Sequence, residues 1–115
     1  MEQKEILSGL VLELRRGTTV LSVLSQLGAP TYGYELVSML NAAGMPMEAN
    51  TLYPLLRRLE GQGVLMSSWE MGGNKPRKYY RRTEMGDELF QSLKRIWEET
   101  TNTMKTLLEE AEHAE

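Results

Sequence analysis

The sequence predicts a mainly α-helical fold with one small β-hairpin. Three observations predict it. Between residues 3 and 63 apolar residues recur at helical spacing in four runs, separated by Gly, Pro or Thr. Between residues 64 and 82 the pattern changes to two strand-like runs around a Gly-Gly-Asn turn. From Glu84 onward the helical spacing returns and persists over a length unusual for so short a chain.

Residues 3–16 read as the first helix, with Ile6, Leu7, Leu10, Val11 and Leu14 on one face. Arg15 and Arg16 suit its negative C-terminal end, and Gly17 is a stop. Thr18 or Thr19 is expected to cap a second helix, carrying Val20, Leu21, Val23, Leu24 and Leu27 and ending at Gly28. After Ala29-Pro30, Thr31 is expected to cap a third, with Leu36, Val37, Met39 and Leu40 inward and a stop between Asn41 and Gly44. Gly33 reads as a close helix-packing position.

The fourth helix organises the rest. In the run from Asn50 to Gly63, Leu52, Leu55, Leu56 and Leu59 form one apolar stripe, while Asn50, Pro54, Arg57 and Gly61 fall opposite, with Tyr53 and Arg58 on the flanks. The outward face thus offers an amide, a phenol and two guanidinium groups with almost no acid. Such a face suits an acidic, hydrogen-bonding surface such as nucleic acid, although an ordinary solvated basic face would look the same. The helix starts from Asn50 or from Glu48. A start at Glu48 puts Pro54 deeper, with a kink expected there.

Val64–Glu70 and Arg77–Arg82 are the two strands, joined by turn residues 71–76. Tyr79 and Tyr80 alternate, so one of them belongs to the core, and Trp69 is expected to cover the base of the hairpin. Thr83 caps the final helix, with Glu84, Asp87 and Glu88 at its positive end. Its stripe comprises Leu89, Leu93, Ile96, Thr100, Met104, Leu107 and Ala111, widened by Phe90, Trp97 and Leu108. The small domain before it cannot cover so long a stripe. A second copy of the chain is the expected partner, with Leu7 and Leu10 of the first helix joining Leu89, Leu93, Ile96, Trp97, Met104 and Leu107 in the interface. Packing back onto the chain's own first helix is the alternative.

Composition narrows the function. The 115 residues are 41% apolar, which fits one globular domain plus an extension, and contain no cysteine. Without basic-then-apolar leader or membrane-length apolar run, the chain reads as cytoplasmic. The net charge of −3 conceals a strong asymmetry. Residues 1–56 carry three bases and five acids, residues 57–82 seven bases and two acids, and residues 83–115 three bases and nine acids. The middle segment is therefore +5 between ends of −2 and −6. Catalysis is not expected. The single His113 lies in an acidic tail, Asp87 caps a helix, and there is no nucleophilic cysteine, phosphate loop or metal-ligand cluster, so neither cofactor nor metal is expected.

Three helices followed by a two-stranded hairpin is the order of a winged helix-turn-helix, whose last helix enters the DNA major groove. At this point the motifs converge. Tyr32-Gly33-Tyr34-Glu35-Leu36, the run from Asn50 to Gly63, Pro76-Arg77-Lys78-Tyr79-Tyr80 and Thr83-Glu84-Met85-Gly86 together resemble the PadR family of bacterial transcriptional regulators, in its order and spacing, over about Ile6 to Lys105. The short tail is similar to the subfamily with a single C-terminal dimerisation helix. The resemblance implies a winged domain over residues 1–83 and a dimerisation helix over 84–115. It implies a homodimeric repressor of double-stranded operator DNA, contacted by Asn50, Thr51, Tyr53, Pro54 and Arg57 and by Lys75, Arg77 and Lys78 of the wing. In multidrug-responsive members a tryptophan placed like Trp97 stacks flat aromatic ligands between subunits; for Trp97 packing as an interface anchor is the default, and a small aromatic or apolar effector the alternative. Two positions depart from the family pattern. Arg82 replaces an aliphatic residue at the last core contact of the wing, and Glu48 replaces the usual Ser or Asp cap. A winged-helix dimer serving as a protein- or ligand-binding module without DNA readout is the competing reading.

Overall fold

Apolar stripes at helical spacing draw short helices, a small sheet and the start of a long last helix around one leucine-rich core, as seen in a computed structural model that describes residues 2–113. The elements are α1 (Gln3–Arg16), α2 (Thr19–Ser25), β1 (Thr31–Tyr32), α3 (Gly33–Ala42), α4 (Ala49–Gly61), β2 (Leu65–Glu70), β3 (Arg77–Arg82) and α5 (Glu84–His113). The core gathers Val23 and Leu24 of α2 with Leu27 just after it, Leu36 and Leu40 of α3, all four leucines of α4, and Val64, Leu65 and Tyr80 at and near the wing. Tyr80 is thus the core tyrosine. Tyr79 lies on the other face of the strand, edge-on to Tyr32 at 5.6 Å between ring centroids.

The sheet has three strands rather than two. β1 pairs antiparallel with β3 through Thr31–Tyr80 and Tyr32–Tyr79, giving the order β1-β3-β2. This corrects the expected role of Thr31. Its backbone is taken into the sheet and its hydroxyl donates to Ala29 O, so α3 begins two residues later behind an extended Tyr32 with no side-chain cap. The second helix also ends early, at Ser25 rather than Gly28, because the Leu27 carbonyl accepts the Arg82 N–H at 2.9 Å and turns the chain toward the sheet. Thr18 stands at its N-cap, yet its hydroxyl donates backward to Arg15 O.

α4 starts from Glu48, whose side chain makes no capping bond, and Pro54 lies inside the helix. The Asn50 carbonyl consequently has no i+4 amide to accept. Leucine packing on both sides of Pro54 holds the helix through to Gly61. It ends in a Schellman motif: Gly63 adopts φ +80°, Gly63 N–H donates to Glu60 O and Val64 N–H to Leu59 O. Gly44 closes α3 in the same way, with φ +88°.

Thr83 caps α5 as expected: its hydroxyl oxygen accepts the Gly86 N–H at 2.9 Å and itself donates to Gly63 O at 2.6 Å. Gly86 is buried because the backbone of α5 lies directly on the Val64 carbonyl, where a Cβ would collide. Arg82 fills the place of an aliphatic residue without remaining apolar. Its guanidinium donates to Leu24 O and to Asp87 Oδ1 and lies 4.3 Å from the centre of the Phe90 ring, so α2, β3 and α5 meet on one side chain. Trp69 does not cover the base of the wing. It is the penultimate residue of β2, close to the turn, and 62% exposed.

After Ser92 every described residue of α5 is exposed, and α1 buries none of its residues. No helix among the described residues is long and apolar enough to cross a membrane.

Candidate nucleic-acid interface

The four leucines of α4 fix its rotation. With that stripe inward, Asn50, Thr51, Pro54, Arg57 and Arg58 are exposed, while Tyr53 is half-buried. The Tyr53 ring occupies the space that a side chain at Gly33 would need. Gly33 is therefore the close-packing position expected of it, and Tyr53 fixes the angle between α3 and α4.

Next to Gly33, the Tyr32 ring forms a T-shaped pair with Tyr79 and has the Arg77 guanidinium at 4.8 Å from its centroid. The Tyr32–Gly33 pair thus brings α4 and the wing together, with Tyr53 on one residue and Arg77 on the next. Tyr32, Tyr34, Glu70, Lys75, Arg77 and Tyr79 line an open concavity of about 720 Å³ under the wing tip. Tyr34, 71% exposed at the start of α3, belongs to it although its sequence motif assigned it no contact.

The expected wing residues do not share one face. Side chains alternate across β3, and Lys78 lies with buried Tyr80 on the core side, opposite Arg77. Its ammonium meets Glu60 Oε1 at 3.4 Å and lies 5.2 Å from the centre of the Tyr80 ring. Glu60 also accepts the Ser67 hydroxyl. That donated bond is the main reason its carboxyl sits below its ordinary value. Desolvation opposes the shift, and the Lys78 charge reinforces it. Desolvation also pulls on Lys78, but the Tyr80 hydroxyl and the Glu60 carboxylate outweigh it and hold its pKa above the usual value. Lys78 and Glu60 thus fasten the wing to α4, a role invisible in sequence because it depends on the register that sets Ser67 opposite Tyr80. Lys75 and Arg77 remain exposed. Of the seven bases in the +5 segment, Lys78 and Arg82 serve internal ion pairs; Arg57, Arg58, Lys75, Arg77 and Arg81 face solvent.

The expected interface residues lie on α1 and α5. Leu7 and Leu10 are 60% and 56% exposed, and Leu89, Leu93, Ile96, Met104 and Leu107 all stand on the uncovered side of α5. Trp97 is 47% exposed within the same stripe.

No curated protein matches the chain. The profile of the transcriptional regulator PadR-like family matches residues 20–92. Among solved structures, a PadR family transcriptional regulator from Eggerthella lenta is 53% identical, with 91% of this chain and 94% of that one covered and a TM-score of 0.86. A PadR-like transcriptional regulator from Bacillus cereus is 27% identical over 84% of this chain and 96% of its own, with a TM-score of 0.76. A Streptococcus transcriptional regulator is 28% identical over 82% and 95%, with a TM-score of 0.74. Family profile, identity and fold agree: the chain belongs to the PadR-like family of transcriptional regulators.

Proposed function

We propose that the protein is a homodimeric repressor that reads operator DNA through α4 and the wing. The observation that carries this reading is the placement of the exposed bases. In an acidic chain, the exposed arginines and lysine of the +5 segment fall on the outward side of α4 and on the wing, the two elements a winged helix presents to DNA. Asn50, Thr51, Tyr53, Pro54 and Arg57 supply the contacts from α4, and Lys75 and Arg77 those from the wing. Lys78 contributes by holding the wing to Glu60. The uncovered apolar residues of α1 and α5 support the dimer, which occludes promoter DNA when bound. A cytoplasmic location accompanies this role. Release by a small aromatic or apolar effector belongs to the same reading, with Trp97 as its stacking surface.

The test is a fluorescence anisotropy titration against the DNA upstream of the protein's own gene and against a scrambled duplex, each at two salt concentrations. Preference for the upstream duplex, weakening as salt rises, is expected. Arg57→Ala should cost about 1–3 kcal/mol of operator binding and relax the preference at one base position. Salt-independent binding with no preference would instead favour a winged-helix module that does not read DNA.

A further inference from the structure

Helix α4 is packed differently on its two flanks. At roughly 100° per residue, Tyr53 and Glu60 lie on one side of the outward strip of Asn50, Pro54 and Arg57, and Thr51 and Arg58 lie on the other. The Tyr53 flank is occupied: Gly33 lies under the Tyr53 ring, and Ser67 and Lys78 of the wing reach Glu60. The Arg58 flank is open. It faces the end of α1 and the start of α2 across two adjoining concavities of about 510 and 540 Å³.

The charged lining of this groove is one-sided. Arg16 and Arg58 border the first concavity with no acid; Arg15, Arg16 and Glu48 border the second. Thr19 and Thr51 add hydroxyls to its floor. Neither ion pair among the described residues uses any of the three arginines, and all three are exposed. Three exposed guanidinium groups against one carboxylate leave this groove with a surplus of positive charge and free donors that suit an anion from outside. Arginine forks match phosphate oxygens in pairs.

An α-helix with its side chains is about 10–12 Å across, and the major groove is about 12 Å wide. A helix seated there has a sugar–phosphate strand on each flank. The wing serves one strand. We propose that Arg58, Arg16 and Arg15 form a phosphodiester clamp for the other, on the side of α4 away from the wing. The proposal rests on the DNA-binding reading but assigns residues and a ligand group to a surface which that reading leaves unused.

The test is the salt dependence of binding by the double variant Arg16→Ala/Arg58→Ala. It is measured on both the upstream and scrambled duplexes beside wild type, Arg57→Ala and the remote control Lys105→Ala. The clamp predicts equal loss on the two duplexes. It also predicts a salt slope shallower by about 1 for each phosphate contact removed, an unchanged slope for Lys105→Ala and an unchanged dimer by sedimentation. An unaltered slope overturns the proposal. So does a changed preference between duplexes, which would make these arginines base contacts, and so does a loss of the dimer, which would make them interface residues. If wild type binds both duplexes equally but with salt dependence, sequence-specific reading falls while the slope still judges the clamp. If it binds neither, both fall.

Discussion

Helices α4 and α5 carry the same amphipathic pattern and end in opposite states. Leu52 and Leu56 of α4 are fully buried, whereas Ile96 and Leu107 of α5 are more than half exposed. The spacing of apolar residues determines that a face will be covered; it does not determine by what. For α4 the cover is α2, α3 and the wing of the same chain. For α5 beyond Ser92, and for α1 apart from half-buried Val11, the described residues leave the face exposed. Covering one such side chain fully is worth about 1.5–3 kcal/mol. A stripe with Leu93, Ile96, Trp97, Met104 and Leu107 therefore holds a large driving force for association.

The largest expected effect comes from removing that force. Leu93→Glu with Ile96→Glu should leave the winged core intact and yield a monomer by sedimentation equilibrium. Operator affinity should then drop by about 100-fold or more, because two linked half-sites are worth about 10²–10⁴ over one. A variant that remains a dimer would place the subunit interface elsewhere, on α1 first. The next effect lies where the two regions join. Gly86→Ala forces α5 off the Val64 carbonyl, a backbone atom that cannot step aside, and should destabilise the fold by about 3 kcal/mol in urea denaturation. Gly61→Ala meets open space at the end of α4 and should stabilise by about 0.5–1 kcal/mol. Equal outcomes for the two glycines would mean that α5 is not seated on the wing.

The same division explains what the sequence revealed. Element order, the stripe of α4, the Thr83 cap and the bounds of α1 were legible because each depends on local spacing or on capping chemistry within a few residues. The third strand was not. Thr31 and Tyr32 are too few to show alternation, and their pairing depends on β3, far along the chain. Thr31 looked like a cap because threonine before a helix usually is one. Trp69 looked like wing-base packing because a largely buried tryptophan is the commoner state, although the strand bounds read from sequence already set it beside the turn. Lys78 counted as one more charge of a basic wing, whereas the family pattern already set Arg82 at a core contact; the inward direction of both follows from Tyr80 entering the core between them. The groove of Arg15, Arg16 and Arg58 joins residues more than forty positions apart, and its signal in sequence was no more than an Arg-Arg pair suited to a helix end.

The smallest expected effect tests whether the wing belongs to the winged core as firmly as α4 does. Glu60 is the only carboxylate on the packed flank of α4, and its pKa in the folded protein lies below the ordinary 4.5. A depressed carboxylate stabilises the fold at pH values above its unfolded pKa, and that contribution is lost as pH falls through the folded one. Lys78, shifted upward from 10.5, contributes at all pH values well below that and so leaves the acid limb to Glu60. Glu60→Gln should therefore be less stable than wild type by a constant margin from neutrality to roughly pH 5, and the margin should close between roughly pH 5 and 3. Because both partners are about one-third exposed, that margin should be under about 1 kcal/mol. Urea midpoints across that range measure it. A margin that does not close would assign the cost to how the amide packs against Ser67 and Lys78 rather than to loss of charge. No margin at all would mean that Tyr80 and the strand ladder hold the wing on α4 unaided.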